Sequence, residues 1–553
     1  MRKLTTLVTL AALVLTAACS GSRSDTMAHD GPAADGKPRL YNNLGGYSYR
    51  ITTTSADAQK WFDQGLRLVY AFNHGEAQRS FREAARLDAG CAMCYWGIAI
   101  TEGSNYNDPT NAEREARALA AVRLAQQHTP GATPVERALI GALAKRHTDA
   151  PGAERQALDR AYADAMRDVA RQFPLDLEAG TFFADALMNL RPWNLWTPDG
   201  APQPETNEIV TTLERVLARN PEHPGAAHLY IHAVEASTNP ARAEAAADRL
   251  LKAMPGAGHM VHMPSHIYWR VGRYADAVSA NVAAVNADRG YFKTAKGSPI
   301  YRGLYYPHNI DFIWQSAAMQ GRAAETLKAA RELAAAAPAE MVSAMPDMET
   351  APMVPMMSLA RFGKWDDVLR EPAPPKEWRY STGLLHYARG LAFNAKGQAT
   401  EARAELAALE SGLQAMPPER TVAFFFRAKN LLQLAANVLA GEIAAKAGDY
   451  ATAERLLRAA VAEQDTHWFT EPPPWYFPVR HALGAVLVQA GRGAAAEQVY
   501  REDLVRNPGN GWALFGLAQA SRAQGKTDAA QQSEVRFRKA FAKADVTLTS
   551  SRF

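Results

Sequence analysis

His228 and His232 stand four residues apart, and the same pair recurs at His262 and His266, displaced by 34 residues. A period of that length marks stacked helical hairpins, which cannot bury their apolar faces alone and so form an array. Four residues is just over one helical turn, so each pair shares a face, and the two faces are equivalent in neighbouring repeats. Two stacked helices would then aim four imidazoles at one space.

Length and composition fit such an array. With 553 residues and 47% hydrophobic content, the chain can bury a large core. Alanine-rich helical patterning runs almost from end to end, with no sign of two unlike globular domains. Lys and Arg number 61 against 57 Asp and Glu, without a basic block, so no nucleic-acid footprint is expected.

The first residues read as a targeting segment. Arg2 and Lys3 give a positive start, Leu4 to Ala18 an apolar stretch too short to span a bilayer comfortably, and Thr16-Ala17-Ala18-Cys19 a small-residue cleavage site. This resembles a bacterial lipoprotein signal, which implies lipid attachment at Cys19 and a mature chain beginning there. Thr16 stands where such signals usually carry leucine, which leaves ordinary secretion as the alternative. Ser20 after the cysteine implies, by the same resemblance, an outer-membrane lipoprotein facing the periplasm. Residues 20–45 are polar and rich in Gly, Ser, Asp and Pro, the composition of a flexible tether. No later segment is apolar enough to cross a membrane.

Beyond the tether, Gly65-Leu66, Ala77, Phe81, Ala84 and Asp88 place small and large residues where antiparallel helices interlock. Gly272-Arg273-Tyr274, Gly363-Lys364-Trp365 and Gly448-Asp449-Tyr450 repeat a helix-ending glycine followed by an aromatic that opens the next helix, and Pro255, Pro338 and Pro508 stop second helices. These features resemble the tetratricopeptide repeat. The resemblance covers roughly residues 57–540 and implies an all-α, right-handed superhelical solenoid of antiparallel helix pairs over 46–553. It says little about chemistry. Three stretches break the period, near 190–204, 290–306 and 465–476, and long aromatic-rich loops in a helical array serve as functional lids or as structural plugs.

Counting back from Pro255 and from Gly272 starts two units at Pro224 and Gly258. His228 and His262 then fall at position five, and His232 and His266 at position nine. In the tetratricopeptide family positions two, five, nine and twelve of the first helix line the concave groove, so the resemblance implies that all four rings face the cavity and not the core. His259 takes position two and Glu235 position twelve. A further unit starting at Pro307 places His308 at position two and Asp311 at position five, and a later one places Met353 and Met357 at five and nine. Asp185 and Asn189 sit one turn apart before the first insertion.

Imidazoles converging from two helices suit a transition metal, copper or zinc, with His228, His232, His262, His266, His259 and His308 as candidate ligands. Glu235, Asp311 or His308 would complete the ligand set or orient an imidazole. Against this stands a scaffold whose groove histidines grip a peptide segment of another envelope protein. Pro264, between the second pair, bends that helix or starts it late, which sets the two pairs apart. No nucleophile elbow, phosphate loop, dinucleotide fingerprint or zinc-protease helix occurs, so binding is favoured over catalysis. An enzyme built on this site would be a metal-dependent oxidoreductase or hydrolase, with Glu235 or Asp311 as base and Tyr301 or Tyr305 near the substrate. Cys91 and Cys94 form a CxxC pair: a disulfide in an exported chain is favoured, over a thiol switch or two ligands of a soft metal. Tyr95 stands where c-type haem attachment needs histidine.

Overall fold

The computed structural model describes residues 38–150, 152–467 and 469–553. The expected signal segment with Cys19, and the expected tether up to residue 37, lie outside them. The described chain is all-α, built of antiparallel helix pairs, with one short strand pairing of Thr421–Val422 against Phe426–Arg427. Gly272, Gly363 and Gly448 adopt φ of 81°, 65° and 83°, a left-handed turn that glycine takes without steric cost, and the next helices open at Tyr274, Trp365 and Tyr450.

Where the sequence suggests one continuous array, the described residues divide into two compact units. One runs to Ile267 and includes Ser279–Asn309; the other comprises Tyr268–Val278 and Ile310–Phe553.

In the first unit, Ser55 accepts the Ala58 N–H and so starts the helix Ala56–Tyr70. Phe62 and Leu66, one turn apart, bury one face of that helix, and Phe62 meets Phe81 of the helix His74–Leu87 with ring centroids 5.4 Å apart. Gly65 and Gly97 let two helices close on the Phe81 ring, since a Cβ would lie 2.6 Å and 2.4 Å from its atoms. Deleting a ring packed this way costs about 3–5 kcal/mol. Within the expected tether Tyr41 N donates to Gln64 at 2.7 Å and Leu44 is buried, so it ends earlier than residue 45. Just beyond, Ile51 is buried, Tyr49 donates to Asp176 at 3.1 Å, and Thr52 donates from N and Oγ1 to Glu136, each at 2.6 Å. Aromatic and apolar residues there find helix surfaces, which a reading of polarity alone does not register.

The second unit packs Tyr380, Leu384, Tyr387, Leu432, Leu439, Leu457 and Leu483 into one core. Met353 and Met357 belong to that core, which corrects their expected place on a groove floor: they act as apolar filler. The third insertion, described here without residue 468, sends Trp475 into the same core, with the Tyr476 and Tyr387 hydroxyls 2.9 Å apart.

Candidate metal centre

The helix Pro224–Glu235 carries His228, His232 and Glu235. It begins with a proline at its first turn, where the missing N–H is harmless, and with the His223 side chain accepting the Ala226 N–H. Gly225 leaves room for the Tyr70 ring, whose atoms would lie 2.4 Å from a Cβ. That close approach brings the Tyr70 carbonyl within 2.5 Å of His228 Nδ1.

The second histidine pair does not ride one helix. Gly258–His262 ends at Met263 and a new helix, Pro264–Arg270, begins at the proline, which cannot donate back into the preceding turn. Ser265 Oγ donates to the freed His262 carbonyl at 2.7 Å. The two imidazoles still meet, with His262 Nε2 and His266 Nε2 2.6 Å apart.

Four imidazoles share one hydrogen-bonding rule. His228 Nδ1 faces the Tyr70 carbonyl, His232 Nδ1 the Glu235 Oε1 at 2.7 Å, His266 Nδ1 the Glu235 Oε2 at 2.6 Å, and His262 Nδ1 the Asn281 Oδ1 at 2.6 Å. Each of these oxygens only accepts, so each Nδ1 carries the proton and each Nε2 presents a lone pair. Two such lone pairs 2.6 Å apart repel, and a positive ion or proton between them is what makes the pairing favourable. His228 Nε2, His232 Nε2 and both ring nitrogens of His259 are buried without a hydrogen-bond partner among the described residues.

His259 and His308 complete the cluster. The ring of His259 lies 4.9 Å from that of His228, and the ring of His308 lies 4.7 Å from that of His262. Ligand atoms of His228, His232 and His259 all fall within 4.8 Å of one another, and so do those of His262, His266 and His308.

Burial lowers the basicity of His228, reinforced by His232, and of His259 and His262 by the same cause with their histidine neighbours. It lowers His232 too, against the pull of Glu235, and takes His308 down to about 3 with help from His266. Burial pushes the Glu235 carboxyl up, but the donors His266 and His232 outweigh it and hold the group well below the usual range, ionised. Burial thus favours the neutral form of His228, His232, His259, His262 and His308, the protonation state a metal requires.

The expectation of groove-lining rings outside the core is corrected. His228, His232, His262 and His266 are at most 2% exposed. Aromatic side chains cover them: Phe72 lies 4.5 Å from His228 and stacks on His259 at 5.5 Å, Tyr305 lies 4.6 Å from His259, and Tyr106 lies 5.0 Å from His232. Trp193, from the first insertion, stacks on Tyr106 at 5.3 Å and meets His232 edge-on, while Trp196 donates to the Ala233 carbonyl at 2.8 Å. The first two insertions close the site. Phe72 and Trp193 hold φ of 52° and 63°, left-handed values that cost a bulky residue about 1–2 kcal/mol each.

The residues expected as base or near a substrate have defined partners. Both Glu235 oxygens accept imidazole N–H groups, so it orients the His232 and His266 rings. The Tyr301 hydroxyl donates to Asp288 at 2.8 Å, and the Tyr305 hydroxyl accepts from Asn107 at 3.3 Å. Asp311 belongs to the second unit, where Gln315 donates to it at 3.4 Å and burial raises its pKa to about 7. Asp185 lies beside a small cavity that His228, Arg146 and Phe72 also line, and accepts from Asn189 at 3.2 Å. Cys91 and Cys94 are joined by a disulfide at the start of the helix Ala92–Glu102. Sequence reading missed Phe72, Tyr106 and Asn281; only the 34-residue register of the histidines pointed to where their partners would be.

No protein family and no curated protein matches the chain. Among solved structures, the human IFIT1 dimer with PPP-AAAA aligns over 87% of this chain and 89% of its own, at 12% identity and a TM-score of 0.31. The same dimer with m7Gppp-AAAA aligns over 89% and 92%, also at 12% and 0.31. The APC/C hetero-tetramer Cut9-Hcn1 aligns over 86% of this chain and 76% of that chain, at 12% identity and 0.30. Likeness at this level carries nothing about ligands, partners or activity.

Proposed function

We propose that this chain is an envelope-anchored helical-repeat protein that binds a transition metal, copper or zinc, in the buried histidine cluster. One observation carries the reading: four buried imidazoles have Nδ1 tied to acceptor-only oxygens, and ring nitrogens of His228, His232 and His259, as of His262, His266 and His308, lie within 4.8 Å of one another. Ligating histidines are oriented in this way by carboxylates and carbonyls behind them, while core histidines use both nitrogens on protein partners. Metal handling is the primary role, and any chemistry would be that of the ion in a water-poor pocket. The Cys91–Cys94 disulfide supports an oxidising compartment, and Cys19 would supply the lipid anchor. Among the described residues no helix is long and apolar enough to cross a membrane, so attachment would rest on that lipid.

The test is metal analysis by mass spectrometry after exhaustive dialysis of protein lacking residues 1–19. Near-stoichiometric metal is expected, and the double variant His228→Ala with His262→Ala should abolish it while keeping the helical circular dichroism. Metal-free native protein would refute the reading and return the chain to the scaffold alternative.

A further inference from the structure

We infer that the cluster is a two-ion site for copper(I), with one ion in the set His228, His232 and His259 and the other in the set His262, His266 and His308. This rests on the metal-binding reading and specifies its occupant. Six imidazoles exceed what one ion takes, since zinc and copper sites are filled by about four ligands. Three per ion employs every ring, and ligand atoms in each set already lie within 4.8 Å of one another.

The sets adjoin. Ring centroids are 5.3 Å apart between His232 and His266 and 5.7 Å between His259 and His262, no farther than the 5.9 Å between His266 and His308 inside one set. Glu235 ties them, holding His232 of the first set with one oxygen and His266 of the second with the other.

Charge selects the oxidation state. Imidazoles bind a metal in their neutral form, so two divalent ions would bring four positive charges behind a wall of Phe72, Tyr106, Trp193 and Tyr305, and two monovalent ions only two. The cost of burying charge rises with its square, so the monovalent pair is strongly preferred.

The full-length chain, in detergent and stripped of metal, is loaded without oxygen with copper(I) against a chromogenic copper(I) chelator, and retained copper is counted. Two copper ions per chain are expected, with His259→Ala and His308→Ala each retaining one. X-ray absorption at the copper edge of the native protein gives an independent count, expected at three nitrogens per copper. One copper per native chain, or four nitrogens per copper, overturns the two-ion assignment and leaves metal binding standing. Two zinc ions held as tightly as copper(I) overturns the charge argument. Retention of no metal overturns the underlying function as well.

Discussion

Glu235→Gln isolates the orienting role of the carboxylate with almost no change in shape. In the native protein its two oxygens accept His232 Nδ1 at 2.7 Å and His266 Nδ1 at 2.6 Å, and the side chain is buried. The amide keeps one acceptor and presents an NH2 group to the other imidazole, donor against donor. That imidazole escapes by moving its proton to Nε2, the nitrogen a metal needs. Losing one charge-assisted bond costs about 1.5–3 kcal/mol, offset in part because a carboxylate no longer has to be buried. A net destabilisation of about 1–2 kcal/mol is expected. Metal affinity should fall about 10- to 100-fold, the usual effect of removing a group that orients a ligand. Chelator competition measures the affinity, and nitrogen-15 NMR of the histidine rings reports the tautomers directly. If Glu235→Gln binds metal within a factor of two of native and shows unchanged tautomers, the carboxylate does not orient the site and the account of the cluster is wrong.

Two further outcomes follow from residues beside the cluster. Gly258 packs on Asp288, where an added Cβ would lie 2.0 Å from Oδ1. Gly258→Ala should therefore cost about 1–3 kcal/mol through overpacking and, by displacing His259, weaken metal retention; a native melting temperature and metal content would refute the packing argument. Burial raises Asp288 to about 7 from an ordinary value of 3.8, against donation from Tyr301 and Asn309. The unfolded chain loses this proton first, so Asp288's contribution is full below pH 3.8 and is lost as pH rises towards 7, by about 1.4 kcal/mol per pH unit. Asp288→Asn removes that loss, and the slope of unfolding free energy between pH 5 and 7 should become more positive by the same amount; denaturant titrations showing an unchanged slope would count against it.

The register of the repeat made much of the site legible. His228, His232, Glu235, His259, His262, His266 and His308 all came from counting positions, because the 3.6-residue period ties sequence spacing to a helix face. The same counting put Met353 and Met357 on the groove floor, yet both lie in the core of the second unit. Position in a repeat specifies the face of one hairpin, not which hairpins share a space. The cover was hidden for a different reason. Phe72 and Trp193 reach the imidazoles through left-handed backbone at a helix end and in an insertion, and no periodicity encodes that conformation. The break at Met263 was readable in Pro264, but its consequence, two segments that still bring His262 and His266 together, depends on tertiary packing.

The cluster is costly to the fold, and that cost bears on why it exists. Four buried ring nitrogens, on His228, His232 and His259, lack partners among the described residues. At about 1–3 kcal/mol for each unsatisfied buried group, their sum reaches the scale of a domain's entire stability of about 5–15 kcal/mol. Apolar residues of similar volume would remove that cost and fill the same space behind Phe72, Trp193 and Tyr305. A fold selected for stability alone would carry leucine or phenylalanine at these positions. Retaining six imidazoles, four of them with Nδ1 tied back, makes sense when a bound ion takes up the Nε2 lone pairs and returns the lost stability in proportion to its affinity.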